Sequence, residues 1–74
     1  MSDEEQDLVE CHSGFEYAER PTAIHWEGQR LEIESILAQW RIPGGKRFRV
    51  KTRDGREFEL FYGELYAEWR ITEV

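Results

Sequence analysis

Lys46-Arg47-Phe48-Arg49-Val50-Lys51-Thr52, Arg53-Asp54-Gly55, Arg56-Glu57-Phe58-Glu59-Leu60-Phe61-Tyr62 is the stretch on which the fold turns. Apolar and charged residues alternate on both sides of Arg53-Asp54-Gly55, the period of strands with one face buried. Turn chemistry sets the register. A loop of only Asp54-Gly55 would oppose Lys51 to Phe58 and Val50 to Glu59, mixing wet and dry positions on one face. A loop of Arg53-Asp54-Gly55, with Gly55 in the left-handed conformation of a bulge, opposes Val50 to Phe58 and Phe48 to Leu60. The other face then pairs Lys51 with Glu57 and Arg49 with Glu59, each cross-strand pair contributing about 0.2–1 kcal/mol.

That register bears on function. Arg47, Arg49, Lys51 and Arg53 resemble a phosphate-binding stripe in isolation. With Arg49 and Lys51 facing acidic partners, a solvated charged face is the favoured reading and a nucleic-acid surface the alternative.

The 74 residues make one domain. All of the net charge of −6 lies in the first sixteen residues, through Asp3, Glu4, Glu5, Asp7, Glu10 and Glu16. The rest of the chain is balanced. Residues 1–13 therefore read as a disordered acidic tail and 14–74 as a single small β domain. A regulatory arm folding back on the basic stripe is the sharper reading of the tail. A chain of about 60 residues buries only about 60% of its extended surface. The ten aromatic residues, from Phe15 and Tyr17 onward, are what could fill such a core. One cysteine, Cys11, excludes an internal disulfide. With no apolar run of membrane-spanning length and no signal-peptide pattern, a cytoplasmic, membrane-free protein is expected.

Arg20 to Trp26 reads as a strand, Thr22, Ile24 and Trp26 on one face and Ala23 and His25 on the other. Pro21 belongs at a strand start or edge. A tight turn at Glu27-Gly28 then opposes Trp26 to Gln29, Ile24 to Leu31 and Thr22 to Ile33. Leu31 to Trp40 is ambiguous. As a strand it must switch parity near Glu34-Ser35, because Leu31 and Ile33 share one face and Ile36, Ala38 and Trp40 the other. As a helix it has suitable spacing of Ile33, Ile36, Leu37 and Trp40 but no good N-cap. The long bent strand is favoured. Pro43-Gly44-Gly45 predicts a flexible connection. A loop from Gly63 to Ala67 and a last strand, Glu68 to Glu73, complete the chain, Trp69 and Ile71 facing inward. The expected fold is all-β, with one short helix as the alternative over 31–40. It is a small antiparallel meander of four to five strands, curled into an SH3-like, partly open barrel.

Arg20-Pro21, Trp26-Glu27-Gly28-Gln29-Arg30, Ile36-Leu37-Ala38-Gln39-Trp40-Arg41, Phe48-Arg49-Val50, Phe58-Glu59-Leu60-Phe61-Tyr62 and Trp69-Arg70-Ile71 form an ordered set over three quarters of the chain. In that set the chain resembles a family of small uncharacterised bacterial proteins, a domain of unknown function. Leu65 and Tyr66 depart from the short polar loop such sequences carry. The resemblance implies a compact β domain without an assigned activity, and an association of some relatives with DNA repair or replication.

No catalytic constellation emerges. Gly44-Gly45-Lys46 lacks the rest of a phosphate loop. Ser2, Ser13 and Ser35 have no rigid base beside them. Cys11, His12 and His25 are too few for a structural zinc site. Glu57 and Glu59 are occupied by cations, and Glu32 and Glu34 read as solvated. The expectation is a non-enzymatic module with no cofactor, no catalytic residue and no metal. It would act as a monomer or weak homodimer through an unknown protein partner, nucleic acid being a less favoured one. The candidate interaction surface is Trp40, Arg47, Arg49, Phe61, Tyr62 and Tyr66. The competing reading packs Trp40, Phe61 and Tyr62 on Phe15 and Tyr17 as a second small core.

Overall fold

The computed structural model describes residues 8–11 and 20–74. Within them the chain is all-β. Six strands run in meander order, β1 (Val9–Cys11), β2 (Pro21–Trp26), β3 (Gln29–Ile42), β4 (Gly45–Thr52), β5 (Glu57–Gly63) and β6 (Glu68–Glu73). All pair antiparallel with their sequence neighbours, in a sheet curled into a half-barrel. There is no helix over 31–40. One strand more is present than expected, because Val9–Cys11, expected in the tail, form β1 and pair with β2. The remaining tail positions and Phe15 and Tyr17 lie outside the described residues.

The β4–β5 hairpin adopts the expected register, with Phe48 opposite Leu60, Val50 opposite Phe58, Arg49 opposite Glu59 and Lys51 opposite Glu57. Gly55 takes a φ of 92°, a region costly for any side chain. The Thr52 amide donates to Arg56 O at 2.8 Å and the Gly55 amide to Thr52 O at 3.0 Å. Thr52 is fully buried; its hydroxyl donates to the Asp54 carboxylate and lies 3.2 Å from Arg56 O. The turn thus satisfies its own polar groups while closing the end of the core.

β3 is where the sheet bends. Its first residues, Gln29–Glu32, pair with β2, and Ile33–Ile42 pair with β4. The register shifts between Ile33 and Ser35, where the pattern required a change of parity. A second shift lies between Ile36 and Ala38. It separates residues that period two had grouped. Ile36 stands opposite Val50 and packs on the core, whereas Ala38 and Trp40 stand opposite Arg49 and Arg47 on the outer face. Bulges increase local twist, and two in four residues fold the strand over.

The fold-over brings Val9, Ile24 and Leu31 from the first half of the sheet onto Phe48, Val50, Phe58, Leu60, Tyr62 and Trp69 from the second. Trp26 meets Phe58 edge-on at 5.3 Å between ring centroids, and Trp69 packs on Phe48 and Tyr62 at 5.9 and 4.9 Å. Such ring pairs contribute about 0.5–1.5 kcal/mol each beyond the area they bury.

Three further details differ from the pattern. Pro43-Gly44 is a tight turn, not a flexible connection: Ile42 pairs directly with Gly45, and Gly44 takes a φ of 83°. Gly45 itself is a packing requirement, because a Cβ there would lie 1.9 Å from the Tyr62 carbonyl oxygen. In β2, Ala23 is as fully buried as Ile24, Thr22 is exposed, and the ladder to β3 ends at Ala23–Glu32 before Thr22 can meet Ile33.

Candidate functional site

The outer face of β3–β6 carries the candidate surface. Residues directly opposite in an antiparallel ladder project to the same side. The pairings Trp40–Arg47, Arg47–Phe61 and Phe61–Arg70 therefore define one row across four strands. The next row is Ala38, Arg49, Glu59 and Thr72.

Within these rows Arg47 and Arg49 are tethered. Arg47 NH1 lies 3.1 Å from Glu59 Oε1, and its guanidinium sits 5.6 Å from the Phe61 ring centroid. Arg49 NH2 lies 3.4 Å from the other oxygen, Glu59 Oε2. One carboxylate thus orients two guanidiniums. Arg49 Nε is buried without a partner among the described residues. Lys51 faces Glu57 in register but makes no ion pair with it among the described residues, and Arg70 makes none either.

Beyond the Phe61 row come Ile42, Gly45, Gly63 and Glu68. Gly45 is buried there, and the Phe61 ring leans over Gly63, 3.3 Å from where a Cβ would be. Arg41 NH1 to Glu64 Oε2, 2.9 Å, and the Glu64 amide to Gly44 O, 2.9 Å, tie the β3–β4 turn to the β5–β6 turn. From the second of these turns Leu65 and Tyr66 project, 82% and 78% exposed, while Trp40 is 41% exposed. Trp40, Arg47, Arg49 and Phe61 therefore share one face, and Tyr66 stands at the turn that borders it.

Tyr62 does not belong to that surface. It is 9% exposed, opposite Lys46 and Trp69 on the inner face, and packs in the core. The reason is parity: Tyr62 follows Phe58 and Leu60 in the inward phase of β5. Arg70 takes its place in the row. Its outward phase was legible, but the row it completes depends on the β5–β6 register.

A second polar cluster lies on the first half of the sheet and escaped the sequence reading. Glu10 of β1 receives Arg30 Nε at 2.9 Å and Arg30 NH2 at 3.0 Å, and lies 2.8 Å from His25 Nε2. The Arg30 fork and the His25 contact hold the Glu10 carboxyl down at about 2, from an ordinary 4.5. Arg30 NH1 reaches Glu32 at 3.3 Å and Arg53 Nε reaches it at 3.2 Å. Arg30, Leu31, Glu32, Thr52, Arg53 and Asp54 line a shallow open cleft where the two halves meet. Arg30 and Arg53 of this lining pair with Glu32, and Asp54 pairs with Arg56. No group of three or more His, Cys, Asp or Glu suited to a metal occurs among the described residues, and no helix there is long and apolar enough to cross a membrane.

No family model, no curated protein and no solved structure matches this chain.

Proposed function

We propose that this is a small protein-interaction module of the cytoplasm, without catalytic activity, which engages a protein partner through the outer face of β3–β6. The observation that carries the reading is the row Trp40–Arg47–Phe61–Arg70 with Tyr66 at its border. It offers exposed aromatic rings beside the Arg47 guanidinium, which Glu59 already holds in place. Arginine and aromatic side chains are the residues that dominate binding energy at protein interfaces, and pre-ordered ones lose less entropy on association. The resemblance to a family of small bacterial β proteins fits a module of this kind.

The test is affinity capture from native extract with the wild-type chain and with Trp40→Ala and Tyr66→Ala. Truncating an anchor at the centre of an interface weakens binding by about 30-fold, the equivalent of about 2 kcal/mol. A partner retained equally by all three chains removes this face from the interaction. Single-stranded DNA or RNA is the alternative occupant, with Arg70 and Lys51 on phosphates and Phe61 or Tyr66 stacked on bases. A titration at about 50 mM salt, where phosphate contacts are strongest, distinguishes the two.

A further inference from the structure

β1 is attached to this fold in the way a bound peptide is attached to a receptor. It has three residues, and nine residues separate it from Pro21, whereas only two separate β2 from β3 and β3 from β4. Besides Cys11, which pairs with Pro21 and packs on the core, three contacts hold it. The backbone of β2 extends the sheet to it, His25 N donating to Leu8 O at 2.8 Å. Val9 inserts fully into the core, beside Ile24 to which it is paired. Glu10 is then gripped by the two-pronged Arg30 contact and by His25, while Thr22 Oγ1 donates to Glu10 O at 3.1 Å. Backbone pairing supplies affinity and alternate side-chain pockets supply specificity when a peptide adds a strand to a sheet edge. Here both are present, and the pocket residues Ile24, His25 and Arg30 all belong to the β2–β3 hairpin.

We propose that the β2 edge is a binding site for an extended peptide carrying an apolar residue followed by an acidic one, and that Leu8-Val9-Glu10 is its resident, displaceable occupant. Arg30 selects the carboxylate by its planar fork, which a lysine or glutamine in the ligand cannot satisfy. The cavity left by Val9 selects a β-branched or similar apolar side chain. The long connection lets β1 leave without disturbing the hairpin, because nothing else in the described fold is covalently close to it. This site is independent of the outer face of β3–β6.

The experiment uses the full chain and a peptide of residues 6–10, Gln-Asp-Leu-Val-Glu. Amide spectra are recorded for the wild type and for a Val9→Asp, Glu10→Lys variant, in which the resident strand is driven off. In the wild type the covalently tethered strand competes, so the peptide binds weakly. In the variant the amides of Ala23, Ile24, His25 and Arg30 shift on titration and affinity rises at least about tenfold, the competitor having been removed. A peptide ending in Lys gives no shift. Equal affinity for both chains, or a folded variant that ignores the peptide, overturns the proposal. So does loss of the Phe48–Leu60 hairpin signals in the double variant and in Glu10→Lys alone, since β1 would then be an obligate part of the fold. A concentration-dependent wild-type dimer showing the same amide shifts would assign the site to a second copy of this chain and overturn the separate partner.

Discussion

The β4–β5 hairpin and the β1–β2 pair are both antiparallel ladders, yet they are held by different physics. The hairpin is closed by a short turn that satisfies its own hydrogen bonds through Thr52 and Gly55. Four of its inward side chains, Phe48, Val50, Phe58 and Leu60, are at most 1% exposed. β1 closes over a far longer stretch of chain and rests on the buried Val9, the partly buried Cys11 and one carboxylate. Loop closure costs more as the connection lengthens, and a three-residue ladder returns little for it. The difference teaches that pairing in the same sheet does not imply equal stability: the hairpin belongs with the parts that open only on global unfolding, the arm with those that open locally.

The sharpest way to break the comparison is to strike the hairpin core. Phe58→Ala removes a fully buried ring that also contacts Trp26, and we expect a loss of about 3–5 kcal/mol. Small domains have about 5–15 kcal/mol in all, so urea denaturation should find the variant's midpoint far below that of the wild type. A variant within 1 kcal/mol of wild type would mean that the core is not centred there.

Gly45→Ala comes next. The added methyl would collide with the Tyr62 carbonyl oxygen, which is backbone and cannot rotate aside. A loss of about 1–3 kcal/mol is expected, as for overpacking generally. Circular dichroism melting of this variant beside Gly55→Ala separates a steric clash from a φ penalty.

Glu10→Gln should sharpen the contrast instead of erasing it. Its partners are partly exposed, so the global loss is at most about 1 kcal/mol. Hydrogen exchange at His25, whose amide donates to Leu8 O, should nevertheless accelerate while the Val50 and Phe58 amides stay protected. Acid should do the same in the wild type. Because the folded carboxyl sits below its ordinary 4.5, its contribution is complete above pH 4.5 and is lost as pH falls toward 2. Asp54, held low chiefly by the Thr52 hydroxyl, titrates in the same direction at the hairpin turn. Glu10→Gln therefore identifies the share that belongs to the arm: it should abolish the acid sensitivity of the His25 amide and leave that of Gly55.

The smallest effect on stability is expected from Tyr66→Ala. A side chain 78% exposed on a turn should change the melting midpoint by no more than about 0.5 kcal/mol is worth. Its effect should appear in partner capture alone. A large drop in stability would mean that Tyr66 packs on this chain and is not available to another.

The residues explain which features were legible. Val50 and Phe58 announce their pairing because period two and a three-residue turn admit one register that keeps both faces consistent. Glu34-Ser35 announces a bend because the apolar phase changes across it. The bulge at Leu37 carried no such mark: Ile36, Ala38 and Trp40 alternate correctly for a flat strand, and only the pairing with β4 sends Ile36 inward and Trp40 outward. Tyr62 was placed on the surface through its loop position although its phase put it inside. Val9 and Glu10 were hidden by composition. Among so many carboxylates they read as tail, and the residues that capture them, Ile24, His25 and Arg30, are 15 to 20 positions away for the two side-chain grips on Glu10.

By itself the sequence determined the all-β class, the meander, the central hairpin register and the outward charged face, because alternation and turn chemistry act between residues close in the chain. The tertiary structure alone decided the second bulge of β3, the transverse row Trp40–Arg47–Phe61–Arg70 and the docking of β1. Each of these depends on which distant segment lies alongside, and that is settled by packing and by ion pairs formed only once the sheet has curled.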